Sequence, residues 1–252
     1  MNEQVKEIVA LHKKICRKAG VTIRDHQMLE PGDNILLGLS GGKDSMIMLE
    51  VMAERRASLP FNFDLTAAHI HIETAGYTVN RVAMESLCQK LNVPFVWKEA
   101  EIEPVGKKEK GICFLCSWNR RKSLFDLARE LDAGKLALGH HRYDALETML
   151  INMIYHGSIS SLPHKLSMFD GRMQLIRPLL DMDENLLADY AGKRDFQSEG
   201  EKCRHVGNNQ REWISELIAY IEKNHETGAI NMFRSMGKIF EEYLPQKKAR
   251  TS

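Results

Sequence analysis

Apolar positions recur along the chain in two alternating rhythms. Val5, Ile8, Val9, Ile15 and Cys16 fall on one helical face, and Gly20 predicts a stop. Pro31-Gly32 punctuates. Ile35 to Leu39 is then a short continuous apolar run, the pattern of a strand buried on both faces. A glycine-rich turn follows, and Ser45 to Arg55 reads as a helix with Ile47, Leu49, Val51 and Met52 apolar.

The alternation continues with a strand over Phe63 to Ile72, a helix over Thr78 to Leu91 and a strand over Phe95 to Trp97. A helix over Ser117 to Leu131, a strand over Leu136 to Gly139 and a helix over Asp144 to Tyr155 complete it. Strands alternating with helices predict an α/β fold, a parallel sheet with helices on both faces and right-handed connections. Lys98 to Gly111 breaks the rhythm with Pro104, Gly106, Lys107, Lys108 and Lys110, and reads as an exposed loop. After Pro178 the pattern is helical only. Trp213, Ile214, Leu217, Ile218 and Ile221 share one face, and Ile230, Phe233, Met236, Phe240 and Tyr243 another. The expected division is an N-terminal helical segment (1–30), an α/β domain (31–181) and a helical C-terminal region (182–252).

Composition narrows the class without choosing a function. The 252 residues are 43% hydrophobic and 27% charged, ordinary for a soluble globular protein. The net charge of +1 means that any polyanion must be met by a local patch. No apolar run reaches the ~20 residues of a membrane span, and the N-terminus has no signal-peptide core. The expected location is the cytoplasm, where thiols stay reduced, so the five cysteines are not read as a disulfide framework.

The strongest chemical signal is Ser40-Gly41-Gly42-Lys43-Asp44-Ser45, between a strand and a helix. Glycines let the backbone approach a ligand closely, and amides at a helix N-terminus point at an anion that the helix dipole also favours. Lys43 adds a charge partner, and Asp44 can reach a Mg2+ ion bridging phosphate oxygens. The hexapeptide is not the common P-loop: Asp44 follows Gly42-Lys43 where Ser or Thr is required, and the earlier glycine position holds Leu37. Nor is it Gly-x-Gly-x-x-Gly.

Ser-Gly-Gly-x-Asp-Ser resembles the pyrophosphate loop of the ATP-pyrophosphatase, or PP-loop, superfamily. The resemblance implies a doubly wound α/β domain that binds ATP, transfers AMP to a substrate oxygen and releases pyrophosphate. A second stretch, Gly139-His140-His141-Arg142-Tyr143-Asp144-Ala145-Leu146-Glu147-Thr148, resembles the Gly-His-His-x-Asp-Asp-x-x-Glu-Thr of tRNA-modifying members, with Tyr143 in place of the first aspartate. Gly139 and His140 are expected near the nucleotide. Asp144 is expected in catalysis or, on its residue type alone, as a helix N-cap.

Taken by themselves, Cys113, Cys116 and Cys203 leave several chemistries open. They fit a zinc site completed by His205, a redox pair of Cys116 and Cys203, an iron–sulfur site, or plain buried thiols. Cys16 and Cys88 lie on apolar helical faces and read as buried. Cys113-Phe114-Leu115-Cys116 followed by Arg120-Arg121-Lys122, with a third cysteine far downstream, is similar to the tRNA 2-thiocytidine synthetase group. That similarity runs from about Ile35 to Tyr243. It implies three thiolates on a 4Fe-4S cluster with one iron open to sulfide, a basic residue at Arg120 acting in catalysis, and a tRNA partner. It also implies thiolation of a base, with C2 of an anticodon-loop cytidine first in order, and a sulfur donor such as a cysteine desulfurase. By themselves Lys107, Lys108, Lys110, Arg120, Arg121 and Lys122 fit a solvated loop and helix face as well as a polyanion contact; the resemblance makes them the expected tRNA phosphate contacts. Two other functions stay open: a lysidine- or amide-type ligase with structural zinc, and a nucleotide-binding protein that does not thiolate. A homodimer is also left open.

Overall fold

The computed structural model describes residues 3–73, 77–103, 112–196 and 210–245, without the side chains of residues 112 and 113. Among the described residues, eight α-helices and six strands run in the order α1 (Glu3–Asp25), β1 (Asn34–Gly38), α2 (Lys43–Ser58), β2 (Asp64–His71), α3 (Arg81–Lys90), β3 (Phe95–Glu99) and α4 (Ile112–Glu130). Then come β4 (Lys135–Leu138), α5 (Arg142–His156), β5 (Lys165–Met168), β6 (Met173–Ile176), α6 (Glu184–Arg194), α7 (Gln210–Asn224) and α8 (Gly228–Ser235). None of the described helices is long and apolar enough to cross a membrane.

The sheet order is β3-β2-β1-β4-β6-β5, with β5 antiparallel to β6 and every other pairing parallel. The chain therefore leaves β1 on one side to form β2 and β3, then crosses to form β4 on the other. Such a switch point opens a crevice at the carboxyl ends of the two central strands.

Successive residues of β1 serve opposite faces, as the pleat requires. Ile35 and Leu37 join the core built with α1, α2, α3 and α6, and Leu36 joins the one built with α4. Continuous apolar strands are what burial on both faces demands. Ends are set locally: Asn80 Oδ1 accepts from the Ala83 amide at 2.9 Å before α3, and Asp183 caps α6 through the Asn185 amide at 3.0 Å.

Four details differ from the expectations. Helix α1 runs through Gly20 to Asp25, because Ile23 beyond it is needed in the core and the missing side chain makes room for Arg55. Helix α4 starts at Ile112 rather than Ser117, so Cys116 lies inside it; no breaker stands between Gly111 and Ser117. The hairpin β5–β6 was not expected. Its strands are four residues long, too short for a clear alternation, and its signal is the turn at Asp170-Gly171, where both residues have positive φ. Helix α8 stops at Ser235, and a 3-10 turn at Glu241–Tyr243 replaces the longer expected helical face.

The chain divides into two units, Met1–Ala145 with Leu162–Asn209, and Leu146–Ser161 with Gln210–Ser252. The second contains α7 and α8. Within it Trp213 Nε1 donates to Tyr155 Oη at 2.6 Å and Ser215 Oγ to Glu147 Oε1 at 2.6 Å.

One buried cation fixes the amino end of β4. Lys135, 4% exposed, donates through Nζ to Met28 O at 3.1 Å and pairs with Asp33 Oδ2 at 2.8 Å. Replacing one member strands the other charge in a poorly hydrated place. Lys135→Met is therefore expected to cost about 3 kcal/mol in urea unfolding, whereas Lys98→Met, which breaks the more exposed pair with Glu130, should cost under about 1 kcal/mol. Equal losses would contradict this.

Candidate functional site

Two strand-to-helix turns meet in the crevice. The first follows β1. Ser45, 4% exposed, organises it from inside: its Oγ accepts from the Ser40 amide at 3.2 Å and donates to Gly42 O at 2.9 Å. Ser40 Oγ donates to Ser45 Oγ at 3.2 Å and accepts from the Gly42 amide at 3.3 Å. Gly41 has φ +89, and a Cβ there would lie 2.8 Å from Val79 Cγ1. Gly42 is the N-cap of α2 and offers no side chain to its amides. A helix start without a side-chain cap is ready for an anion.

The second turn follows β4, which pairs with β1 so that Gly38 and Leu138 are opposite. A Cβ on Gly139 would come within 3.2 Å of Asp44 C, Asp44 O and Ser45 Cα, so only glycine lets this turn lie against α2. His141 precedes α5. Its Nδ1 accepts from the Tyr143 amide at 3.2 Å, and its own amide donates to Asp144 Oδ2 at 2.9 Å. This is reciprocal capping, with Asp144 at the third helical position rather than at the cap itself. With Nδ1 accepting, the neutral ring carries its proton on Nε2, which faces Asp44 Oδ2 at 3.8 Å and Asp144 Oδ2 at 3.6 Å.

Lys43 Nζ lies 3.1 and 3.0 Å from the two Asp44 oxygens and 3.5 Å from Glu184 Oε1. Arg177, 4% exposed, donates from Nε to His140 Nδ1 at 3.3 Å. Burial, and then the nearby Arg121 charge, lower its pKa to about 10, with Asp144 opposing. Arg142 is buried and braces the same turn against Met182, Asp181 and Asp183.

A sulfur-bearing cluster lies at the ends of β2 and α4. Arg120 Nη2 is 3.6 Å from Cys116 Sγ, and its guanidinium covers the Tyr77 ring at 4.7 Å. His69, 1% exposed, stacks on Trp97 and donates from Nδ1 to Leu39 O at 2.7 Å, the residue before the phosphate-type loop. Burial lowers its pKa from 6.5 to about 4; the bond to Leu39 opposes, and the Arg120 charge adds to the lowering. Cys113 lies three positions before Cys116 in α4, the spacing of neighbours on one helix face. Its side chain lies outside the described residues, as do Cys203, His205 and Lys107, Lys108 and Lys110. On α4, Phe114 (46% exposed) and Trp118 (37%) stand at helical spacing with Lys122, whose Nζ lies 5.7 Å from the Trp118 ring.

The structure thus brings Ser40 to Ser45 together with Gly139 to Asp144, and Arg120 with Cys116. Sequence reasoning missed His69, Tyr77, Trp97, Phe114 and Trp118. Only the polar His69 and His71 at the end of an apolar strand offered a signal for the first group.

Residues 11–217 match the PP-loop domain family. The chain is 36% identical over 244 residues to the tRNA-cytidine(32) 2-sulfurtransferase of Polynucleobacter asymbioticus, covering 95% of this chain and 80% of that protein. It is 37% identical over 239 residues to that of Burkholderia vietnamiensis, covering 93% and 70%. Among solved structures, the U34-tRNA thiolase NcsA from Methanococcus maripaludis, determined with its 4Fe-4S cluster, superposes with TM-score 0.73 at 23% identity, over 96% of this chain and 82% of that one.

The two loop glycines should separate fold from ligand. Gly42→Val meets only Ser40 Oγ, at an ordinary 3.5 Å from its Cβ, and should leave the protein folded while weakening ATP binding at least tenfold by calorimetry. Gly41→Val should also lower stability, through its positive φ and Val79. ATP binding unchanged in folded Gly42→Val would remove the loop from the site.

His69 predicts a pH effect. Its folded pKa lies below its unfolded value, so the unfolded chain binds the extra proton. The stability difference between wild type and His69→Asn should be constant above pH 6.5 and shrink as pH falls towards 4. Urea unfolding across that window measures it; a pH-independent difference would refute it.

Proposed function

The chain belongs to the PP-loop domain family and, within it, to the tRNA-cytidine(32) 2-sulfurtransferases, and from that premise we propose that it is an ATP-dependent tRNA sulfurtransferase exchanging the C2 oxygen of an anticodon-loop cytidine for sulfur. The observation that carries the reading is the meeting of the two glycine turns at the switch point, with the Cys116–Arg120 pair on α4, where Arg120 covers the Tyr77 ring. The relatives' names do not favour the ligase and non-thiolating alternatives.

In this reading the start of α2 holds the ATP phosphates through first-turn amides, and Lys43 leaves Asp44 for a phosphate oxygen. The freed Asp44 carboxylate, partly exposed, suits Mg2+, a hard cation that takes oxygen ligands. The cytidine O2 attacks the α-phosphorus and pyrophosphate leaves. Fixed amides aimed at the transferring phosphoryl group stabilise the charge that develops there. Sulfur then attacks C2, and AMP departs with the original oxygen. His141 keeps Asp44 and Asp144 on either side of one ring proton, fixing both turns while charge moves.

Cys116 fits a cluster ligand, because thiolates bind iron and a guanidinium nitrogen stands 3.6 Å from its Sγ to meet their charge. Cys113, Cys116 and Cys203 would hold a 4Fe-4S cluster, which when bound supplies sulfur in nucleophilic form. Arg120 holds positive charge at Cys116 Sγ. Phe114 and Trp118 offer ring faces for unstacked bases, and Arg121 and Lys122 meet phosphates. A tRNA substrate goes with a cytoplasmic location and with a cysteine desulfurase as the class of sulfur donor.

Cys113→Ala, Cys116→Ala and Cys203→Ala should each lose iron after anaerobic reconstitution and yield no thiolated nucleoside, while still binding ATP. His205→Ala should keep its iron. Full iron loading in Cys203→Ala, or native zinc that depends on His205, would overturn the assignment.

A further inference from the structure

Away from the crevice, three unlike donors converge between α1 and α2. Cys16, 1% exposed, has its Sγ 3.5 Å from His12 Nε2. The Glu54 carboxylate lies on the same side, within 4.8 Å of the thiol sulfur. His12 Nδ1 lies 3.6 Å from Glu54 Oε2. One ligand atom from each residue lies within 4.8 Å of the others.

We propose that His12, Cys16 and Glu54 form a site for a divalent transition metal of the zinc class, separate from the nucleotide and sulfur chemistry. The spacing fits: two tetrahedral zinc ligands, one sulfur and one nitrogen, stand roughly 3.5 Å apart, and Sγ and Nε2 are 3.5 Å apart. The ligand types fit, since thiolate and imidazole select zinc-like ions over magnesium or calcium. Charge fits as well. Thiolate and carboxylate neutralise a divalent ion, with the thiol proton released to solvent.

A second layer holds the ligands. Arg55 Nη2 donates to Glu54 Oε1 at 2.9 Å, leaving Oε2 on the His12 side. Arg55 reaches that position over Gly20, where a Cβ would sit 2.9 Å from its Nη1. Such outer partners orient metal ligands. His12 packs beside the Tyr190 ring at 5.7 Å. Entry is available through a cleft of about 640 Å³ lined by His12, Glu54, Ala53, Leu91 and Tyr190. Three protein ligands leave a fourth position for water.

A thiol beside a histidine and an acid also has the parts of a nucleophile with its base. Burial, and then the neighbouring Glu54 carboxylate, push the Cys16 thiol well above the ordinary thiol range, which opposes a free thiolate. A metal removes that objection, because coordination deprotonates a thiol outright.

The test uses the full chain with Cys113, Cys116 and Cys203 changed to Ala, so that cluster ligands do not compete. Titration with Co(II) should bind one equivalent, give a near-ultraviolet thiolate-to-cobalt band, and be reversed by Zn(II). Adding Cys16→Ala should abolish the band and weaken binding at least tenfold. His12→Gln, at a partly exposed side chain, should weaken it at least tenfold even if the Cys16 variant does not fold. No band in the folded parent, a band surviving Cys16→Ala, or an affinity unchanged in His12→Gln would each overturn the proposal. So would cobalt bound without a sulfur band, the signature of the His26, His164 and Asp181 group instead.

Discussion

Gly139 lies so tightly against Asp44 and Ser45 that a single added carbon would press on three backbone atoms at 3.2 Å. The candidate site is built around this approach. Parallel pairing of β4 with β1 sets the two turns side by side, and the crossover that makes them neighbours is where the strand order reverses around β1. The missing side chain then lets them touch. Because the turns touch, His141 can cap α5 with one nitrogen while its other faces Asp44 on α2. One glycine thereby couples the geometry of two helix starts.

The sulfur-side cluster depends on the same loop by another route. His69 is sealed beneath Leu39, and burial keeps it neutral, so it holds the strand end before Ser40 without adding a charge beside Arg120. A protonated ring there would face the guanidinium that serves Cys116. Neutrality at His69 and charge at Arg120 are complementary: the first fixes backbone, the second acts on a thiol. His69 stands near the carboxyl end of β2 and Arg120 on α4, both within regular elements.

The sequence showed most of the sheet, because β1 is apolar on both faces and β2 and β4 are mainly apolar, a pattern that is not mistaken for an exposed strand. The turn at Ser40 to Ser45 was legible because its two glycines stand between an apolar strand and a helix, and the structure places them at the start of α2. The hairpin β5–β6 escaped notice since each strand is only four residues long, too short for its alternation to stand out. Gly20 misled for a related reason. A glycine that ends a helix and a glycine that admits a neighbour's side chain look identical in sequence, and only the position of Arg55 separates them. Tyr77 and Trp97 belong to the cluster through tertiary stacking, which no local pattern records.

The ion pairs at the loop are of a kind that a nucleotide could displace. Lys43 rests on Asp44 and near Glu184, so the start of α2 holds a cation already matched by two acids. Partly exposed pairs of this kind are weak, of order 0–1 kcal/mol, and a triphosphate offers Lys43 more charge than the carboxylates do. In the proposed exchange Asp44 would keep its charge at the helix N-terminus, where the dipole tolerates it and where a divalent cation accompanying the phosphates would compensate it. The capping of Asp144 by the His141 amide is untouched by that exchange, because it lies on the other turn. The two acids that flank one histidine are thus held differently: Asp144 is tied to the frame of α5 by the His141 amide, while Asp44 is held by a partly exposed pair with Lys43.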